Sequence, residues 1–221
     1  TGVNYGLGKN MIGAFCQPSL VCIDPETLLT LPVREYRSGL YEVFKYGLIR
    51  DAEFFGWLNA SLEEIQSRIS GILEKLITRC CEIKAEITSL DERESNLRQI
   101  LNLGHTFGHG LESALRFQGL THGEAVAYGM MAAVHLSHWR SGLSNESRDR
   151  VLESINDIGV LPPANSVSTS KVLEAMKRDK KRRQQKTVVV LLREIGVAQI
   201  RNDISDEDLG KAWKRLTPLE P

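Results

Sequence analysis

Apolar residues recur along most of the chain at the three-and-four spacing of amphipathic helices, so the chain reads as a succession of helices with a little sheet. Residues 1–19 break that pattern. They are glycine-rich and polar and read as a loop, followed by a brief β-like apolar run, Leu20–Ile23, that ends at Asp24-Pro25. Helical spacing then holds over Arg34–Ile49, Asp51–Asn59 and Leu62–Ile69. The longest predicted helix runs from about Ile72 to Leu90, with Leu73, Leu76, Ile77, Cys80, Ile83 and Ile87 on one face. Lys84 falls inside that stripe, where a lysine either carries its ammonium to the edge along its apolar stem or meets a ligand. A further helix starts near Gly104. Gly123–Ser141 forms another, and its Ala, Gly and Met content predicts close interhelical packing. Arg148–Ile158 is helical and Leu161-Pro162-Pro163 is a break. Beyond it come a helix at Ser170–Met176, a basic turn, and a Val-rich strand at Thr187–Leu192. Val197–Ile200 pairs with that strand as a hairpin across Glu194–Gly196, and a helix near Asp206–Leu216 closes the chain. The predicted fold class is mainly α: a multi-helical domain with a small β element.

Composition adds limits. A chain of 221 residues suffices for one large domain or two small ones. Hydrophobic residues at 42% and charged residues at 25% are ordinary for a soluble globular protein. Lys+Arg and Asp+Glu both count 28, so bulk charge gives no reason to expect nucleic acid or an anionic membrane as partner. The basic run Lys177–Arg183 reads chiefly as a solvated turn. No apolar stretch of about 18 residues predicts a membrane span, and no signal peptide is visible. Cys16, Cys22, Cys80 and Cys81 form no C-x-x-C pair and read as reduced thiols serving as small apolar residues, which suits the cytoplasm. Thr1 opens the chain without Met in a turn-like segment, and the expectation is a piece of a longer protein.

The candidate chemistry gathers around histidines. His105-Thr-Phe-Gly-His109 sets two imidazoles at i and i+4, one face of a helix. Zinc sites use such pairs with a carboxylate or a third His from elsewhere, although two histidines four apart also arise in ordinary cores. Of 5 histidines, three (His105, His109 and His122) lie close together in sequence, and His122 opens the next helix after a short turn. His122 read alone is a helix-capping or surface residue. Glu42 and Lys45, three apart on a helix face, read alone as a surface ion pair of a few tenths of a kcal/mol. Beside a two-histidine site, Glu42 becomes the natural third ligand and leaves a coordination position open. Spacing does not choose among these ligands. Arg98 and Asn102 lie seven and three residues before His105. Lys9 and Asn10 lie in the glycine-rich opening, where backbone donors can also meet a phosphate.

These residues resemble those of the 3-dehydroquinate synthase family, within the sugar-phosphate cyclases. The resemblance is carried by Thr1–Asn4, Leu7-Gly-Lys-Asn-Met-Ile-Gly-Ala-Phe15, Gly39–Gly47, Cys81-Glu-Ile-Lys-Ala-Glu86, Asp91-Glu-Arg93, Leu101-Asn-Leu-Gly-His-Thr-Phe-Gly-His109, His122-Gly-Glu-Ala-Val126 and Asp179-Lys-Lys181. They stand in the family's order from residue 1 to about 200. Tyr5 stands where the family often has His, and Phe44 where an aliphatic residue is common; neither carries chemistry. The resemblance implies a two-domain α/β protein whose N-terminal NAD-binding domain lies upstream of Thr1. Residues 1–33 would then be an interdomain segment or remnant of that domain, and 34–221 the helical zinc- and substrate-binding domain.

Position by position, the resemblance implies that Glu42, His105 and His122 bind zinc, with cobalt able to substitute. Lys9 and Thr27, Leu28, Leu29 and Thr30 would reach NAD. Asn10, Lys45, Lys84, Arg98, Asn102, His109 and Lys180, or its neighbour Lys181, would surround the substrate, 3-deoxy-D-arabino-heptulosonate 7-phosphate. Arg98 and the lysines suit its carboxylate and phosphate. The implied reaction yields 3-dehydroquinate and phosphate, on the shikimate route to aromatic amino acids. It proceeds by transient oxidation with NAD, β-elimination of phosphate, re-reduction and intramolecular aldol closure. The full-length enzyme would be a cytoplasmic homodimer, and this chain alone inactive. Rivals are a 2-deoxy-scyllo-inosose synthase, which shares the zinc triad, and a metal-dependent alcohol or polyol dehydrogenase, which needs no grip for two anions. A non-enzymatic interaction domain using the 177–183 run is a third, against which the neutral charge and the His/Glu/Lys constellation speak.

Overall fold

The computed structural model describes residues 2–5, 8–14, 18–92, 97–164, 167–183 and 187–216, with the side chains of residues 4, 5, 8–11 and 179–183 set aside. Nine α-helices are found among the described residues, and one of them is buried on nearly every side. Helix α6 (His122–Arg140) has apolar or small residues all the way round and buries Ala125, Val126, Ala127, Met130, Ala132, Ala133, Val134 and Leu136. An all-round apolar helix belongs in the middle of a domain. On it pack α1 (Val33–Arg50), α5 (His105–Ala114), α7 (Asn145–Ile158) and α9 (Asp206–Lys214). Helix α8 (Thr169–Arg183) lies on α5 and α9. Helices α2 (Ala52–Ala60), α3 (Leu62–Gln66) and α4 (Ser70–Leu90) follow α1, and both α2 and α4 pack on it.

Glycines set how near α1 and α5 come to α6. A Cβ on Gly123 would stand 1.9 Å from the Ser38 carbonyl oxygen of α1, and one on Gly129 would stand 1.9 Å from the Gly104 oxygen at the start of α5. Both approaches are backbone to side-chain-free backbone. Gly104 itself holds φ 81°, left-handed backbone that glycine adopts without a Cβ penalty, and it turns the chain into α5. The three helices that carry the candidate ligands thus converge through contacts only glycine permits.

Sheet is confined to two antiparallel hairpins. Strands β1 (Gly2–Tyr5) and β2 (Gly8–Gly13) pair Gly2 with Gly13 and Val3 with Ile12. Strands β3 (Val189–Glu194) and β4 (Val197–Arg201) pair Val190 with Ile200 and Leu191 with Gln199. Val189–Leu192 is buried throughout against α6, where the Ser137 hydroxyl accepts from Leu192 N at 2.9 Å. The turn between β3 and β4 reaches back to α1, with Gly196 N donating to Leu48 O at 2.9 Å.

Four expectations need correction. The opening loop contains the β1–β2 hairpin, since paired strands need cross-strand partners more than apolar alternation. Leu20–Ile23 forms no strand and is exposed. The basic run is helical, because Lys and Arg propagate a helix well and nothing before Arg183 breaks it. Cys22 and Cys81 are exposed and Cys80 half-buried, so among the described residues none is a core residue; all three are free thiols, and Cys16 lies outside the described residues. Two short 3-10 helices, Pro25–Thr30 and Leu97–Asn102, had no counterpart in the apolar pattern. No described helix is long and apolar enough to cross a membrane.

Candidate metal centre

Glu42 projects from the middle of α1 beside Lys45, whose Nζ donates to Glu42 Oε2 at 2.5 Å. Lys45 is only 4% exposed. Burial lowers the pKa of its ammonium against the opposing pull of Glu42, and the net direction is down. For Glu42, burial pushes the carboxyl up, but the charges of Lys45, His105 and His122 together with the Lys45 hydrogen bond bring it below its ordinary value. The carboxylate is therefore ionised, with one oxygen bound to Lys45. Its other oxygen, Oε1, is buried and accepts no hydrogen bond from any described residue.

That oxygen faces two imidazoles. His105 Nε2 lies 3.4 Å away and His122 Nε2 4.0 Å away. Each ring is held at its other nitrogen by a group that can only accept: His105 Nδ1 at 3.2 Å from Leu103 O, and His122 Nδ1 at 3.1 Å from Glu112 Oε1. In the neutral form of either ring this contact takes the Nδ1 proton and leaves the Nε2 lone pair free, beside Glu42 Oε1. Burial and Lys45 lower the His105 pKa to about 4 against the pull of Glu42, which keeps that ring neutral at pH 7. Glu42 Oε1, His105 Nε2 and His122 Nε2 so disposed offer three donor atoms to one cation. Tetrahedral zinc with bonds of about 2.0–2.2 Å separates its N and O donors by about 3.3–3.5 Å. The donor set and spacing fit a divalent cation, with a small contraction at His122.

His109 stands beside them. Its ring lies edge-on to His105 (centroids 5.3 Å apart) and stacks on His122 (5.7 Å), and the three histidines offer donor atoms all within 4.8 Å of one another. Geometry therefore gathers four donors, of which three histidines alone would also make a metal set.

Local structure explains the placement of His122. It is the first residue of α6, behind a capping box in which Thr121 Oγ1 accepts from Glu124 N and Glu124 Oε2 accepts from Thr121 N at 2.7 Å. Arg34, at the start of α1, grips both Glu124 oxygens at 2.7 Å and donates to Gly119 O at 2.6 Å. Gly123 N donates to Ser38 Oγ at 3.1 Å. Two turns of α1 thereby locate the α6 N-terminus relative to Glu42, eight residues after Arg34 in the same helix.

The other expected site residues divide. Lys84 is exposed yet close enough to Lys45 to help lower its pKa, so α4 brings a second lysine to the site's edge. Arg98 is engaged next to the α4 C-terminus, its Nη1 donating to Glu92 O at 2.8 Å and its backbone N to Asp91 Oδ2 at 3.0 Å. Asn102 is half-buried at the end of its 3-10 helix. Thr27 and Thr30 spend their hydroxyls on the carbonyls of Asp24 and Thr27, while Arg68 binds the carbonyls of Leu29 and Leu31. Leu28 packs against the core from a half-buried position. The side chains of Lys9, Asn10, Lys180 and Lys181 lie outside the described residues. Sequence reasoning missed Glu112, Arg34 and Glu124. The signal for Glu112 was present: it lies seven residues after His105 and three after His109, on their helix face. A groove of about 650 Å³ between α2 and α4, lined by Asp51, Phe54, Trp57, Lys75 and Arg79 among others, contains none of the histidines. Its charges are satisfied locally, Arg79 by Asp51 at 2.7 Å and Glu82 at 2.8 Å.

Comparison with known proteins bears on this geometry. Residues 39–182 match the family described as 3-dehydroquinate synthase C-terminal, and residues 1–38 the family described as 3-dehydroquinate synthase N-terminal. The 3-dehydroquinate synthase of Nitrosomonas europaea is 47% identical over 198 residues, 90% of this chain and 54% of that protein. That of Thermodesulfovibrio yellowstonii is 44% identical over 214 residues, 96% of this chain and 59% of that protein. The chain spans somewhat over half the length of these curated relatives. A solved 2-epi-5-epi-valiolone synthase from Streptomyces hygroscopicus subsp. jinggangensis 5008, with NAD+ and Zn2+ bound, is 31% identical with a TM-score of 0.85, over 98% of this chain and 60% of that one. A 2-deoxy-scyllo-inosose synthase, 24% identical with a TM-score of 0.84 over 97% of this chain and 60% of that one, shares the fold.

Proposed function

The chain belongs to the 3-dehydroquinate synthase family, and from that premise we propose that it is the metal- and substrate-binding part of a 3-dehydroquinate synthase. Its reaction would convert 3-deoxy-D-arabino-heptulosonate 7-phosphate to 3-dehydroquinate and phosphate, in the shikimate route, within a cytoplasmic homodimer. Residues 1–33 would connect to the NAD-binding part and 34–221 form the metal and substrate domain. One observation carries the metal assignment: the buried Glu42 Oε1, without a hydrogen bond, faces the Nε2 atoms of two imidazoles whose Nδ1 atoms are already held. Glu42, His105 and His122 are accordingly the proposed ligands. His109 is assigned to the substrate, because the Glu42 oxygen lies against His105 and His122.

Zinc or cobalt bound there would polarise substrate oxygens and lower the pKa of the hydroxyl to be oxidised. NAD would take up a hydride and return it, and by resemblance Lys9 and Thr27–Thr30 are assigned to it. The chain's own residues bind and orient. Lys45 places a positive charge in a dry setting beside Glu42, where it acts on a developing oxyanion with little screening. Lys84 offers a second cation at the edge for phosphate or carboxylate. Arg98 would exchange its bond to Glu92 O for a bidentate grip on an anion. Asn10, Asn102 and Lys180 complete the substrate assignment. His109, stacked on His122, would face the substrate beside the proposed ligands.

Metal analysis of the purified chain tests this reading. About one zinc per chain is expected, lost in Glu42→Gln and retained in His109→Ala. Zinc lost in His109→Ala and kept in Glu42→Gln would replace the proposed set with the three histidines. Phosphate release from the heptulosonate phosphate with NAD is expected only when an NAD-binding N-terminal part is supplied. Robust release by this chain alone would overturn that division of labour.

A further inference from the structure

Of the two rings beside Glu42, His122 is the more open to solvent. Its side chain is 39% exposed, against 15% for His105, and it sits in the first turn of a helix, where a ring can swing into solvent. What restrains it comes from a different helix. Glu112, near the end of α5 and 9% exposed, places Oε1 3.1 Å from His122 Nδ1. The contact joins α5, which carries His105 and His109, to the N-terminus of α6.

We propose that Glu112 is a positioning residue for the metal: by accepting the His122 Nδ1–H it fixes the tautomer and ring orientation that aim Nε2 at Glu42 Oε1. The proposal rests on His122 being a ligand. Two points carry it. First, an ionised carboxylate only accepts, so the proton in this bond must come from the imidazole. Second, the two ligand rings are anchored unequally. His105 Nδ1 meets the Leu103 backbone carbonyl, whereas His122 Nδ1 meets a side-chain carboxyl oxygen carried by another helix. Replacing a buried charged group by an apolar one of similar volume is often neutral or stabilising, so loss of the fold is not the expected result of removing Glu112. Partners of this kind typically change metal affinity 10–100-fold when removed.

The test measures zinc affinity by chelator competition for the 221-residue chain and its Glu112→Gln, Glu112→Leu and His122→Ala variants. It is paired with the visible spectrum of the cobalt-loaded proteins and urea unfolding of the metal-free ones. Glu112→Gln keeps the shape and an accepting oxygen while losing the charge, and is expected to weaken zinc about 10-fold; Glu112→Leu about 100-fold. Both should still bind one ion per chain with altered cobalt bands, and metal-free Glu112→Leu should unfold at the same urea concentration as the parent or higher. Wild-type zinc affinity in both Glu112 variants, with zinc lost in His122→Ala, would overturn this proposal and leave the ligand reading standing. Zinc retained in His122→Ala would overturn the ligand reading itself. Affinity that falls only in step with the stability of the metal-free chain would make Glu112 a structural residue and sink the proposal.

Discussion

Helix α6 carries histidines at both ends, and the two ends use the same side chain for different purposes. At the N-terminus, His122 turns Nε2 towards a buried carboxylate oxygen and joins two further imidazoles. Near the C-terminus, His138 places Nδ1 2.8 Å from Leu143 O and ties down the turn that ends the helix, while His135 stacks on Trp139 (centroids 6.1 Å apart). The charges nearby differ as well. Anions surround His122, with Glu42 and Glu112 within 4.0 Å. Around His135 the charges of Arg148 and Arg215 act with the nearby His138, and only Asp149 opposes them. A cationic neighbourhood repels a metal ion, whereas an anionic one attracts it. The company a histidine keeps, rather than its presence, marks the site.

The sharpest way to break this contrast is to truncate one histidine at each end. His122→Ala should cost zinc more than the roughly 100-fold that loss of an outer partner brings, since on the proposed assignment it removes a ligand itself. His138→Ala should leave about one zinc per chain and lower stability by about 1 kcal/mol, the worth of one hydrogen bond. Metal analysis and urea titration of the two variants separate the outcomes. Equal zinc content in both would erase the distinction between the ends.

A second experiment asks whether the site depends on the close approach of α5 to α6. In Gly129→Ala the new Cβ would stand 1.9 Å from Gly104 O, one residue before His105, and neither backbone can yield without parting the helices. Overpacking of this kind should cost about 3 kcal/mol and weaken zinc binding, since His105 and His122 ride on the separated helices. An Ala variant at Gly39, which has nothing within 4 Å of its added Cβ, is the control and should keep its zinc. A Gly129→Ala chain of full stability and full zinc affinity would show that the ligands do not need this contact.

The sequence made the helices legible because their burial follows helical periodicity: Leu73, Leu76, Ile83 and Ile87 of α4 are all buried as the stripe required. Lys84, inside the same stripe, is exposed at its edge. The His105/His109 pair and His122 were visible as candidates, but their spacing named no ligand set, because what brings Glu42 beside them is a contact between residues 63 apart in sequence. Glu112 escaped notice because a glutamate late in a helix looks like any solvated acid until its helix is packed. Polarity also misled over the basic run of α8, where charge was mistaken for a break although Lys and Arg favour helix. At Leu20–Ile23 the opposite error arose, since an apolar run is no strand without a partner to pair with. Periodicity reports burial within an element; it is silent about which elements meet.

The smallest effect expected is a pH dependence at the C-terminal end of α6. Burial first, then the charges of Arg148 and Arg215, lower the His135 pKa from 6.5, with Asp149 opposing and His138 assisting. A histidine whose pKa is lowered by folding binds fewer protons in the folded chain than in the unfolded one. As pH falls below 6.5, the unfolded chain takes up the proton first and stability drops; above 6.5 both states are neutral and the contribution is constant. His135→Gln removes this titration. The loss of stability of the metal-free chain between pH 7.5 and 5.5 should therefore be smaller in the variant, by roughly a few tenths of a kcal/mol once solvent screening is allowed for. Urea midpoints at the two pH values measure it. A larger acid loss in the variant than in the parent would mean that His135 is held by Asp149 as a cation, and the C-terminal end of α6 would then resemble the N-terminal end in its anionic character.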